Sequence, residues 1–159
     1  MDSRAAELVN TLGMRPHPEG GHYVELYRSA DRVRQVARNV ERAAITTIYF
    51  LLAASEYSRW HRVQSDEIWH YHEGDAIELL LFDDRGLRRL HLGPVASVTR
   101  PAIVVPAGVW QAARTTGAYT LVGCTVGPGF EFADFALLAD APDAASRFRA
   151  RHPDLADLI

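Results

Sequence analysis

The sequence predicts an all-β fold, an antiparallel sandwich or barrel, and three observations carry that prediction. From residue 44 onward, short runs rich in β-branched, aromatic and other apolar residues follow one another closely: AITTIYFLLAA, SRWHRV, EIWHYH, IELLLF, LRRLHL, AIVVP, WQAART, YTLVGCTV and FADFALL. Turn signals separate most of them, at Gly74-Asp75, Asp83-Asp84-Arg85-Gly86, Gly93-Pro94, Pro106-Ala107-Gly108, Gly117 and Gly127-Pro128-Gly129. The runs do not alternate with helix-length patterns, which argues against strand–helix units. A chain of 159 residues is sized for a single domain with one sizeable core, here expected over 1–159 with the β core at about 20–140.

The elements follow in order. Residues 2–12 read as a short helix, with Asp2 or Ser3 as cap, Leu8, Val9 and Leu12 as apolar stripe, and Gly13 at the stop. The prolines and paired glycines of MRPHPEGG argue against regular structure there. A strand is expected in HYVELYRS, where Tyr23, Glu25 and Tyr27 alternate with His22, Val24 and Leu26. Large residues occupy both of its faces, so alternation alone does not say which is inside. Residues 30–43 are rich in arginine and lack a clear period, which suggests a loop with some helical character. After the strand-like runs, APDAASRFRARHPDLADLI returns to helix, with Asp143 as cap, Phe148 as apolar anchor and a break at His152-Pro153.

Composition narrows the function. A formal net charge of −3 offers no electrostatic case for nucleic acid or an anionic membrane surface. Arg28, Arg32, Arg34, Arg38 and Arg42 are interleaved with Asp31 and Glu41 and read as a solvated face. The single cysteine, Cys124, lies in an apolar run and reads as a small buried hydrophobe. Neither a signal-peptide core nor a membrane-length apolar run is present, and the expected location is cytoplasmic.

The densest chemistry lies in residues 58–74, SRWHRVQSDEIWHYHEG. It gathers His61, Asp66, Glu67, His70 and His72 between Trp60, Trp69, Tyr71 and Gly74. On a strand, Glu67 shares its face with Trp69 and Tyr71, so His70 and His72 are expected to point the other way unless a bulge intervenes.

These residues resemble the cupin superfamily. Its first motif, HxH followed by Glu and Gly, is matched by His61, Glu67 and Gly74, with Val63 where the second histidine belongs. Its second motif is matched by Pro106-Ala107-Gly108, with Gln111 at the histidine position. Ser55 and Arg100 replace the expected glycines, and Thr115 the expected asparagine. More closely, the chain is similar to a small cupin branch of unknown function marked by PHPEGG, ExYRS, SDExWH, VPxGxWQ and CTVxPGFxFxDF. Those segments are Pro16 to Gly21, Glu25 to Ser29, Ser65 to His70, Val105 to Gln111 and Cys124 to Phe135, within a resemblance covering about residues 8–140.

The resemblance implies a cupin jelly-roll β-barrel, flanked here by short N-terminal and C-terminal helices, enclosing a small-molecule pocket, usually in a homodimer. Metal-binding cupins use three histidines and a glutamate. With two of those ligands replaced by Val63 and Gln111, no metal site is expected, beyond weak transition-metal binding through His61 and Glu67. His61 and Glu67 instead form a candidate acid–base pair, with His61 as general base. A metal-free cupin relative, the deoxysugar 3,5-epimerase, uses a histidine near this barrel position. Trp69, Tyr71 and Trp110 are expected as pocket walls, Gln111 and Tyr49 as hydrogen-bonding partners, and Glu19 at the pocket mouth. The expected function is small-molecule binding with metal-independent isomerase or epimerase chemistry on a sugar-like or polar carbonyl substrate. A non-enzymatic metabolite-binding cupin is the alternative, and the missing ligands disfavour a metal-dependent dioxygenase.

Overall fold

The computed structural model describes residues 1–159. Helix α1 (Ser3–Leu12) begins where the Asp2 carboxylate accepts from the Arg4 and Ala5 N–H groups, and it ends on Gly13 in the left-handed region. Thirteen strands follow: β1 (Arg15–Pro16), β2 (His22–Arg28), β3 (Arg32–Gln35), β4 (Val40–Ala43), β5 (Thr46–Ala53), β6 (Tyr57–Val63), β7 (Asp66–Gly74), β8 (Ile77–Asp83), β9 (Gly86–Leu92), β10 (Ala102–Val105), β11 (Trp110–Thr115), β12 (Tyr119–Gly127) and β13 (Phe135–Leu137). Helix α2 (Pro142–Arg151) and a 3₁₀ segment (Pro153–Leu158) close the chain.

The strands build two antiparallel sheets that face each other as a jelly roll. One has the order β1-β2-β5-β12-β7-β10, the other β13-β6-β11-β8-β9. The inner faces meet in one core, with Phe50, Leu52, Trp69 and Val122 from the first sheet against Ile77, Leu79, Leu81 and Ala113 from the second. The outer faces are covered by the terminal helices. Ala5 and Leu8 of α1 pack on Leu51 and Leu121, while Phe148 of α2 packs with Leu155 and Leu158 against Trp60, Leu80 and Ala112. No helix is long and apolar enough to cross a membrane.

One irregularity positions the site. Across β6 and β11, His61 pairs with Gln111 but Ser58 pairs with Ala113, so three steps on β6 match two on β11. This bulge resets the strand's parity. Ser58 and His61 therefore both face inward, while Trp60 between them joins the outer cluster under α2.

The structure corrects four local expectations. Residues 30–43 hold a β-hairpin, β3–β4, whose connection includes Asn39 at φ 52°, a conformation asparagine tolerates. Arg38 and Arg42 tether it to the buried Asp134 carboxylate at 2.6 and 2.7 Å. MRPHPEGG contains the two-residue strand β1, with Arg15 opposite Tyr23. In FADFALL only β13 is strand, because Phe132–Asp134 and Leu138–Asp140 wind into 3₁₀ turns. Asp143 does not cap α2: Pro142 opens the helix, Ala141 stands at the cap, and Asp143 lies in the first turn near the positive end of the helix dipole.

Candidate functional site

A cavity of about 370 Å³ opens between the sheets at one end of the jelly roll. Its walls come from Tyr23 and Glu25 of β2, Ile48 and Phe50 of β5, His61 and Val63 of β6, Glu67 of β7, and Cys124 and Val126 of β12. Phe130, Glu131 and Phe132 lean over it from the segment after β12.

The segment RPHPEGG completes the wall. Residues that precede proline are held out of the helical region, so Arg15 to His17 continues from β1 without helix, and a turn follows at Pro18-Glu19, closed by the Gly20 N–H donating to the His17 carbonyl at 3.0 Å. Arg15, His17 and Glu19 all line the cavity, and they pass from exposed through half-buried to buried. The segment thus descends from mouth to floor. It reaches the floor because Gly20, at φ +111°, lies against β6; a Cβ there would stand 2.0 Å from the Tyr57 carbonyl oxygen.

The floor is a cluster of buried titratable groups. Glu19, His61 and Glu67 are 6, 2 and 7 % exposed. Glu19 Oε1 accepts a hydrogen bond from Ser58 Oγ at 2.8 Å. Its Oε2 lies 3.3 Å from His61 Nε2 and 3.4 Å from His17 Nδ1. His61 Nδ1 is 2.7 Å from the Arg59 carbonyl oxygen and donates to it, which leaves Nε2 as a lone-pair acceptor facing Glu19. His17 Nδ1 accepts from the Glu19 backbone N–H at 3.2 Å.

Burial opposes charge throughout this cluster. It pushes the Glu19 carboxyl up to about 8, against the opposing pull of Ser58 and Arg59. Burial, with His61 nearby, pushes His17 down to about 3. It also lowers His61, although Glu67 and the Arg59 carbonyl oppose the shift, and it raises Glu67. At neutral pH the floor is therefore a protonated carboxyl set between two neutral imidazoles.

Behind the floor, Gln111 fixes Glu67. Its Nε2 donates to Glu67 Oε2 at 2.6 Å, and its Oε1 accepts from Trp69 Nε1 at 3.0 Å. Burial raises the Cys124 thiol well above its ordinary range, and that thiol also lies against Glu67. At the rim, Arg28 holds Glu25 at 2.8 Å and Glu131 at 3.0 Å.

The family model described as "Cupin superfamily (DUF985)" matches residues 6–138. The chain belongs to the cupin superfamily. A hypothetical protein from Leishmania major shares 31% identity with this cupin at a TM-score of 0.82, over 98% of this chain and 96% of that one. A crystal structure of a Shewanella oneidensis protein shares 31% identity at a TM-score of 0.84, covering 97% of this chain and 95% of the other. Oxalate decarboxylase from Lactobacillus farciminis, at 15% identity and a TM-score of 0.58 over 92% of this chain and 41% of that one, is similar in fold. No curated protein matches this cupin.

The family's metal centre does not fit these residues. Val63 offers no donor, the Gln111 amide is occupied on both sides by Trp69 and Glu67, and His61 Nε2 faces a carboxyl across 3.3 Å. No three histidine, cysteine, aspartate or glutamate side chains converge as ligands would.

The remaining candidates divide by strand parity. Tyr49 is not at the cavity: Ile48 and Phe50 face inward, so Tyr49 faces outward, packing with Leu51 beneath α1 and edge-on to His72. Trp110 is not there either. Its neighbour Gln111 points in, so Trp110 points out, where the Arg62 guanidinium stacks on it at 4.6 Å. Trp69 and Tyr71 are on the inner face but lie further along β7, in the packed core, where the Tyr71 hydroxyl donates to the Gly74 carbonyl. Glu19 sits on the floor of the cavity and not at its mouth. His70 and His72 do not line the cavity.

His17, Ser58, Arg15 and Tyr23 were not expected at the site. The proline-spaced alternation of Arg15, His17 and Glu19 is a signal that could have revealed two of them. Ser58 carried none, because the bulge that turns it inward leaves no mark in the local pattern.

Proposed function

We propose that this cupin binds a small, polar or sugar-like carbonyl compound and relocates a proton on it without a metal, as isomerases and epimerases do. The observation that carries the reading is the contact between Glu19 Oε2 and His61 Nε2 on the floor of the cavity. His61 Nε2 is an unprotonated base, and Glu19 is an acid protonated at neutral pH. With a carbonyl compound bound, the C–H bond α to the carbonyl breaks and its proton goes to His61 Nε2. The Glu19 O–H bond breaks and its proton goes to the carbonyl oxygen, giving a neutral enol. The imidazolium and carboxylate left behind form an ion pair at the distance already present, shielded from water. When His61 returns the proton to the former carbonyl carbon and the α-hydroxyl gives its proton to the Glu19 carboxylate, the compound is isomerised; when the proton returns to the opposite face of the α-carbon and the enol O–H gives its proton back to Glu19, it is epimerised. Glu67, held by Gln111, flanks His61 and favours its charged form.

The 2 % exposure of His61 favours a second reading, in which the same floor orients a metabolite without turning it over. The homodimer implied by the family resemblance belongs to the same proposal and is checked by sedimentation velocity. Proton transfer is tested by incubating the protein in heavy water with a panel of hydroxy-aldehydes, hydroxy-ketones and sugars. Deuterium entering the carbon next to the carbonyl is expected, and it should vanish in His61→Ala and Glu19→Gln. Exchange undiminished in both variants, or absent throughout the panel, would remove the enzymatic reading.

A further inference from the structure

We propose that Arg15 recognises the substrate of this cavity, and that the substrate carries a carboxylate or phosphate at the end remote from its reacting carbon. The inference rests on the acid–base reading of the floor and extends it to the class of molecule bound.

Two guanidinium groups line the cavity, and they differ in their commitments. Arg28 is saturated: its Nε and Nη2 donate to the two Glu25 oxygens at 3.2 and 2.8 Å, and its Nη1 donates to Glu131 Oε1 and the Phe130 carbonyl at 3.0 Å each. The Arg15 guanidinium has no carboxylate or carbonyl partner. Its Cζ lies over the Tyr23 ring, 5.1 Å from the ring centre, on the strand pair that sets Arg15 opposite Tyr23. A guanidinium over an aromatic face is held there by cation–π attraction, and with no acceptor bound its N–H donors are available. Those donors suit the two oxygens of a carboxylate or phosphate.

The ion pairs around the cavity leave the same group uncommitted. Of its four carboxyl groups, Glu25 and Glu131 both pair with Arg28, while Glu19 and Glu67 are buried on the floor. Arg15 is the one cation on the wall with no ion-pair partner. Its support leads directly to the chemistry: the Tyr23 ring packs edge-on to His17 at 4.6 Å, and His17 Nδ1 lies 3.4 Å from Glu19 Oε2. One continuous wall thus carries a cation at the exposed end and the proton-transfer groups at the buried end. A cavity of about 370 Å³ suits a compact molecule that spans the two.

The test uses ribose, ribonate and ribose 5-phosphate as neutral, carboxylate and phosphate probes, titrated calorimetrically at low ionic strength. At least one anionic probe should bind at millimolar concentration, and ribose should bind at least about tenfold more weakly. The preference between ribonate and ribose 5-phosphate identifies which anion is read. Arg15→Ala should remove the anionic advantage, with Arg15→Lys retaining part of it, and both variants should melt like the unsubstituted protein when no probe is present. Ribose binding as tightly as both anions, neither anion binding, or anion binding that survives Arg15→Ala would each overturn the proposal. Glu19→Gln should keep the anion affinity. Anion binding by the unsubstituted protein with no deuterium exchange in any compound tested would count against the acid–base reading alone.

Discussion

Glu19 Oε2 stands 3.3 Å from His61 Nε2, with both side chains buried and with Ser58 holding the other Glu19 oxygen. The pair is assembled by two unrelated devices. A proline-spaced segment ending in a turn at Pro18-Glu19 carries Glu19 down the cavity wall, and a bulge in β6 turns Ser58 and His61 to the same side. His61 was expected to work with Glu67, and the geometry gives its free nitrogen to Glu19. Glu67 acts through the field it places on His61.

The pH dependence of stability follows from Glu19. Its carboxyl is raised from 4.5 to about 8 in the folded protein, so between those values the folded state holds a proton the unfolded chain has lost. That contribution is present in full below about pH 4.5 and is lost as pH rises through about 8. Melting temperature should therefore fall between pH 6 and pH 9, and Glu19→Gln should flatten the decline, because an amide does not ionise. Parallel slopes for the two proteins, measured by differential scanning calorimetry, would count against a buried protonated carboxyl.

Gly20 is required by space as well as by backbone angle. A Cβ at Gly20 would lie 2.0 Å from the Tyr57 carbonyl oxygen, whereas one at Gly86, also at positive φ, meets nothing. Gly20→Ala should cost roughly 3 kcal/mol or more and Gly86→Ala about 1 kcal/mol in urea unfolding. Gly20→Ala should also weaken deuterium exchange, since it lifts Glu19 away from β6.

Gln111 serves two buried partners at once. Gln111→Leu leaves the buried Trp69 Nε1 and Glu67 Oε2 without their hydrogen bonds to Gln111. A loss of about 2–4 kcal/mol is expected, from one to two unsatisfied buried groups. A chemical denaturation midpoint unchanged from the parent protein would show that the two partners find substitutes.

Asp134 clamps the β3–β4 hairpin. Its side chain is almost wholly buried between Arg38 and Arg42, and those guanidiniums hold its carboxyl down at about 2. The depressed value means that its contribution is present above about pH 4 and is lost as pH falls through about 2. Asp134→Ala should cost about 2–4 kcal/mol and expose the hairpin, so that trypsin cuts after Arg38 much sooner than in the parent protein.

Much of the fold was legible because strand and turn signals are local. Short apolar runs separated by glycine and proline turns marked most of the strands, and the His61–Gly74 and Pro106–Gly108 spacings marked the cupin. The hairpin at 30–43 was not legible, since its arginines show no period and are ordered by Asp134, far along the chain. Strand periodicity also carried more than was drawn from it. Tyr49 lies between two inward residues and Trp110 beside one, so neither could share a face with them.

What the sequence by itself determined is most of the strands from residue 44 onward, their two-residue alternation and the turns that separate them. The tertiary structure alone decided which face is inward, where β6 bulges, and that Glu19, His17 and His61 meet. The physical reason is that alternation is set by each strand's own backbone. A contact between a loop and a strand depends on how two sheets twist and pack, and no local pattern records that distance.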